Sequence, residues 1–251
     1  MSEGLVGVVL LLALVFKFMH YPGAGVLMMV SLGGLCLLVI DYAFSGKDSK
    51  LMSLNTAASL LGVLYILAVM FKVMHLKGAG IMLVVSMLGL SICLAVKAYC
   101  LRKSINALLP ALFSITTLFI LFKVMHWPKP PFVLYGSYFA FALLFPLLML
   151  SKASKLKQSS ATLSNSYMLL GGLSFVLFIV EVLNIATQLG RISLLALNYI
   201  MIIDSALYLA VLYVITKTLK LENDENNRKL LKTLKGIYVF ILVLMCLVSG
   251  Q

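Results

Sequence analysis

Phe16-Lys-Phe-Met-His-Tyr-Pro-Gly-Ala-Gly25 returns as Phe71-Lys-Val-Met-His-Leu-Lys-Gly-Ala-Gly80 and again as Phe122-Lys-Val-Met-His-Trp-Pro-Lys-Pro-Pro131. The leading phenylalanines stand 55 and 51 residues apart, and a degenerate copy, Phe178-Ile-Val-Glu-Val, begins 56 residues later. Three copies of F-K-x-M-H mark an internal duplication. Each copy lies between two apolar runs. Such runs fall at about 4–20, 24–44, 54–75, 79–100, 106–126, 132–150, 165–187 and 191–216. Their lengths are near the roughly 20 residues that a helix needs to cross about 30 Å of hydrocarbon. A ninth run, about 234–250, is shorter, and Lys232 and Lys235 must snorkel at its start.

Short turns follow the odd-numbered runs and polar, basic loops follow the even-numbered ones, so the unit is a helical hairpin used four times, with one further helix. The expected fold is all-α: a polytopic membrane bundle of eight or nine transmembrane helices. Its parts are hairpin repeats at 1–46, 51–103 and 104–151, a degenerate hairpin at 162–217, and a basic loop with a C-terminal helix at 218–251. Composition agrees. Of 251 residues, 63% are hydrophobic and 11% charged, against about 45–50% and about 25% in a soluble domain. A soluble enzyme, a secreted disulfide scaffold and a disordered chain are excluded, because a soluble fold could not cover its own surface.

The chain is basic, with 20 Lys and Arg against 8 Asp and Glu. The cations sit mostly in the connections, as expected beside an anionic leaflet and not for nucleic-acid binding. Fourteen lie on the loop side. Six lie on the turn side: Lys17, Lys72, Lys77, Lys123, Lys129 and Arg191. The positive-inside rule then places the N-terminus and loops in the cytoplasm. The run at 5–15 is expected to be a retained helix and not a signal peptide, because no cation precedes it and no small-residue cleavage site follows. Cys36, Cys93, Cys100 and Cys246 form no CxxC pair and are expected as buried thiols.

The repeated turn has a physical reading. Its cations meet the negative end of the helix dipole, Lys and His can hydrogen-bond unpaired carbonyls, and Pro and Gly stop one helix before the next. Tyr21 and Trp127 suit the interfacial aromatic belt.

The motif F-K-x-M-H-W/Y-P-G-A resembles the turn between the two N-terminal membrane helices of the GldL family, inner-membrane proteins of bacterial gliding and type IX secretion. The resemblance covers 5–39, and more loosely 59–96 and 114–150, about 110 residues. It implies hairpins with an outward-facing turn. GldL-like proteins also carry a glutamate for proton flow about fifteen residues beyond the turn histidine. Here those positions are Leu35, Leu90 and Phe141, and GldL's large cytoplasmic region is missing. The likeness is to a multi-hairpin relative without the motor's acid.

Two sets of residues have chemistry of interest. Lys17 and His20, Lys72 and His75, and Lys123 and His126 share their turns at i,i+3. They are read as interfacial anchors and helix terminators, with a titrating outer cluster or soft Met-His ligands for Cu(I) as alternatives. No metal site and no cofactor is expected. The second set is Glu181 and Asp204, acids inside the last hairpin. Acids at mid-bilayer cost about 2.5–3.5 kcal/mol or more, and so face protein or water. Counting from a turn near Gln188 puts Glu181 level with 197–198, including Asn198, and Asp204 level with Ser174, with Tyr208 one turn from Asp204. They define a proton or cation path, or else neutral acids bonded between helices. Small pairs such as Gly33-Gly34 and Gly171-Gly172 are read as close helix packing. No hydrolytic, nucleotide or metalloprotease motif appears, so no enzymatic activity is expected.

Two functional classes follow. One is a structural or interaction component that meets the bilayer, further copies of itself or other membrane proteins, which the resemblance would make an accessory of a gliding or secretion apparatus. The other is a proton- or ion-coupled channel or transporter using Asp204 and Glu181.

Overall fold

The computed structural model describes residues 3–44, 51–102, 105–125, 131–157, 160–188 and 194–248. Among them are nine α-helices and no strand: α1 (Glu3–Phe18), α2 (Ala24–Phe44), α3 (Leu51–Val73), α4 (Ala79–Cys100), α5 (Leu108–Val124), α6 (Pro131–Leu156), α7 (Ala161–Gln188), α8 (Leu194–Leu221) and α9 (Glu225–Val248). A single 3-10 turn, Ile105–Ala107, leads into α5. Six of them, α2, α3, α4, α6, α7 and α8, hold stretches long and apolar enough to cross a membrane. The apolar parts of α1 and α5, Gly4–Phe18 and Leu108–Val124, are shorter. At 1.5 Å per residue they reach about 22–26 Å, below the hydrocarbon thickness. These helices form the coarse architecture of a multi-pass membrane protein. They expose apolar side chains such as Ile81, 74% accessible, which only a lipid environment accommodates in such numbers.

The segment 217–235, expected as a loop, is mostly helix. α8 runs on to Leu221 and α9 begins at Glu225. Asp224 accepts hydrogen bonds from the amides of Asn226 and Asn227 at 3.4 and 3.3 Å, which makes it the N-cap of α9. Glu225 and Lys229 pair at 2.6 Å along the exposed face. Leu230, Leu231 and Leu234 form the buried stripe opposite. This amphipathic pattern carries the helix through the charged stretch. Beyond it α9 changes character: Ile237, Tyr238, Phe240, Ile241, Leu242, Val243, Met245 and Cys246 are all buried. A helix apolar and covered on nearly all sides is a core element.

The chain forms two compact units. Unit 1 comprises 1–138 with 243–251, and unit 2 comprises 139–242. In unit 1, α1 to α5 pack each against the next, between hairpins as well as within them. Leu10, Leu14, Met28, Tyr65, Ile66, Leu83, Met87 and Phe113 fill its interior. Between α4 and α5, Ser91 and Ser114 each donate to the other's carbonyl, at 2.9 and 2.8 Å. Gly89 lets α3 approach, since a Cβ there would lie 2.7 Å from Leu61 Cδ1. Unit 2 holds most of α6, then α7, α8 and most of α9. Gly171 has the same use against Leu150, whereas a Cβ at Gly172 or Gly33 would meet nothing within 4 Å. Close packing therefore explains Gly171 alone of those three.

Candidate functional site

Two features invite a functional reading: the repeated turns of unit 1 and a polar seam inside unit 2.

The turns are two copies of one backbone device. The Tyr21 amide donates to the Phe16 carbonyl at 2.8 Å and the His20 amide to Lys17 at 3.2 Å. In the second copy Leu76 donates to Phe71 at 2.8 Å and His75 to Lys72 at 3.1 Å. This six-to-one and five-to-two pattern is the Schellman motif. Its left-handed position is filled by the histidine, with φ of 55° at His20 and 56° at His75. Histidine tolerates that region better than most residues, though glycine is the usual occupant. The apolar contact that accompanies the motif is present too: Phe16 and Tyr21 meet edge to face at 5.6 Å. A second left-handed residue, Gly23 or Gly78, opens the next helix.

The sequence reading assigned His and Lys to carbonyls by their side chains. Lys72 Nζ does reach a helix-end carbonyl, that of Val124 at the end of α5, at 3.4 Å, and the histidine backbone adds the caps. Lys17 lies in the last turn of α1 and Lys123 in that of α5. His126, and with it the third turn, lies outside the described residues.

The seam of unit 2 begins on α7. Tyr167, Ser174 and Glu181 follow one another at seven-residue intervals, two turns each, and so lie on one stripe. Across from them α8 carries Asp204 and Tyr208, and α9 carries Tyr238. Tyr208 donates its hydroxyl to Glu181 Oε1 at 2.6 Å. The Asp204 and Glu181 carboxyls share a hydrogen bond. Asp204 is 1% exposed, and its Oδ1 has no hydrogen-bond partner among the described residues. Tyr238 is hydrogen-bonded to Ser174 and lies 5.6 Å, ring to ring, from both Tyr208 and Phe145 of α6. Ser174 also donates to Leu170 at 2.7 Å.

Glu181, Asp204 and Tyr208 thus meet, and the register differs from the one counted from the turn. Glu181 was expected opposite 197–198 but lies against Asp204 and Tyr208. Helix side chains lean toward their own N-terminus. In an antiparallel pair Glu181 and Tyr208 therefore lean toward each other. Asn198 belongs to α8, and its side chain is outside the described part.

Sequence reasoning missed a second pairing at the other end of the seam. Tyr167 donates to Glu222, and the Glu222 carboxyl also accepts the Asp224 amide at 3.0 Å. Lys152 of α6 donates to Asn227 of α9 beside it and interacts electrostatically with Glu222 and Asp224. Glu222 is 4% exposed. The available signal was the spacing: 14 residues separate Tyr167 from Glu181, and 14 separate Tyr208 from Glu222. An antiparallel pair with that spacing matches tyrosine to glutamate at both ends.

Two carboxyls joined by a hydrogen bond need one proton between them. With a tyrosine hydroxyl on one acid and an open oxygen on the other, the group can take up and release that proton with little movement. No family model matches the chain, and neither a curated protein nor a solved structure matches it.

Proposed function

We propose that the protein is a proton-coupled membrane component, a channel or transporter element working through Asp204, Glu181 and Tyr208, and not an enzyme. One observation carries this reading: a buried carboxyl, Asp204, bonded to a second acid and holding an unpartnered oxygen. Packing alone does not call for it. A serine pair such as Ser91 and Ser114 joins helices without ionisable groups, and acids in a bilayer interior carry a free-energy cost that selection accepts for function. Proton flux into liposomes containing the purified chain tests the reading. Asp204→Asn keeps the side chain's size and polarity but cannot bind and release a proton, so flux should fall at least tenfold. Absent wild-type flux, or flux unchanged by the substitution, would refute it.

The cation distribution supports a bacterial inner-membrane location with the N-terminus and basic connections in the cytoplasm. A cysteine placed at Gly78 should then react with an impermeant reagent from outside, and one placed at Ser154 should not. Reversed labelling sinks this orientation.

A second reading is favoured by the two like-built turns, which echo the GldL hairpin. In it the repeats are a structural or interaction scaffold, accessory to a gliding or secretion apparatus. Deleting the gene in its own host should then impair surface movement or secretion, and a strain unaffected in both would remove this reading.

A further inference from the structure

The Tyr167–Glu222 pair lies two helix turns from Ser174, and Ser174 two turns from Glu181, along one stripe of α7. Each interval is roughly 10.5 Å. Every station carries a group able to accept and release a proton: the Glu222 carboxyl with Tyr167, the Tyr238 hydroxyl with Ser174, and the Asp204–Glu181 pair with Tyr208. Leu170, Val211, Ile215 and Leu234 of the same helices are buried apolar side chains. Glu222 adjoins the basic end of the unit, where Lys152, Asp224 and Asn227 stand around it.

We propose that Glu222 is a second proton-binding station, the entry from the basic end of unit 2, and that protons pass from it by way of Tyr238 and Ser174 to the Asp204–Glu181 pair. The route rests on the proton reading above and deepens it. A proton arriving at the Glu222 carboxylate makes the neutral acid, and its onward transfer restores the carboxylate. At the middle station the Tyr238 oxygen accepts one proton while its own hydroxyl proton leaves on the far side, so no charge accumulates there. The proton ends on the Asp204–Glu181 pair, where the open Oδ1 receives it. Water entering between the stations bridges the intervals.

Flux measurements on liposomes with the full chain separate this route from the broader reading. Glu222→Gln should reduce proton flux at least tenfold, and Tyr238→Phe, which keeps the ring and removes the hydroxyl, should also reduce it severalfold. Tyr238→Phe keeps the test decisive if Glu222→Gln does not fold, as judged by helical content in detergent. Flux lost in Asp204→Asn but unchanged in Tyr238→Phe, and in Glu222→Gln where that variant folds, overturns the route and leaves the outer site standing. Absent flux in the wild type overturns both.

Discussion

Unit 1 ties its helices with hydroxyls and the Lys72 ammonium, whereas unit 2 adds buried acids to hydroxyl contacts of its own, such as Ser164 with the Ala153 carbonyl. Ser91 and Ser114 exchange hydrogen bonds with each other's backbone, and Thr116 donates to Ser137 at 3.0 Å. Such contacts are indifferent to pH and their loss is mild, averaging about 0.6 kcal/mol between membrane helices. Both acids among the buried residues, Asp204 and Glu222, belong to unit 2, and each is bonded across helices to another ionisable group. The repeated part of the chain therefore reads as frame. The pair α7 and α8, with Glu181 and Asp204, carries the ionisable contacts.

The contrast can be broken most directly at Tyr208. Tyr208→Phe removes the hydroxyl that donates to the part-buried Glu181 carboxyl, which should destabilise the protein by about 1–3 kcal/mol. The midpoint of unfolding in SDS measures it. A loss no larger than that of Ser114→Ala would mean that the two units' polar contacts are equivalent.

A middle-sized effect tests the frame. His75 holds a left-handed backbone, so His75→Val should cost about 1–2 kcal/mol, while His75→Gly should cost nothing. If both variants lose stability equally, the imidazole and not the backbone is what the repeat preserves, and the frame has chemistry of its own.

The smallest effect lies at the start of α9. Lys229, by hydrogen bond and charge, holds the exposed Glu225 carboxyl below its ordinary value. A depressed carboxyl contributes stability above its unfolded value, about 4.3, and that contribution is lost as pH falls through the lower folded value. Helical content of α9 should thus fray slightly below pH 4, and Glu225→Gln should abolish the dependence. An equal pH response in Glu225→Gln would assign it to the buried acids of unit 2.

Much of the fold was legible in the residues. The apolar runs match the helices closely except where charge misled: 225–235 read as a basic loop because its four basic residues outnumber its three leucines, yet Leu230, Leu231 and Leu234 fall on one helical face and Asp224 caps it. The site was half legible. Glu181 and Asp204 announced themselves as acids in apolar runs, but Tyr238 and Glu222 did not, because periodicity tells which face a residue occupies and not which helix will cover it. The turns were legible as turns for a reason only partly right. Dipole and snorkelling arguments concern side chains, and the feature that the repeat preserves is a positive φ. Its sequence trace was the fixed distance from Phe16 to His20 and to the apolar residue after it, the frame of a Schellman cap.

The enclosed second half of α9 bears on how such a protein is made. Helices α1 to α8 emerge from the ribosome before it, and each offers apolar faces that lipid can occupy while the chain lengthens. A helix covered on nearly all sides offers few. It enters after its neighbours in unit 2, α6 to α8, so that unit cannot close before translation has passed its share of α9, which ends at 242. Shortening the chain upstream of α9 would therefore leave the other helices of unit 2 without their last partner and exposed to membrane proteases, not a smaller working protein.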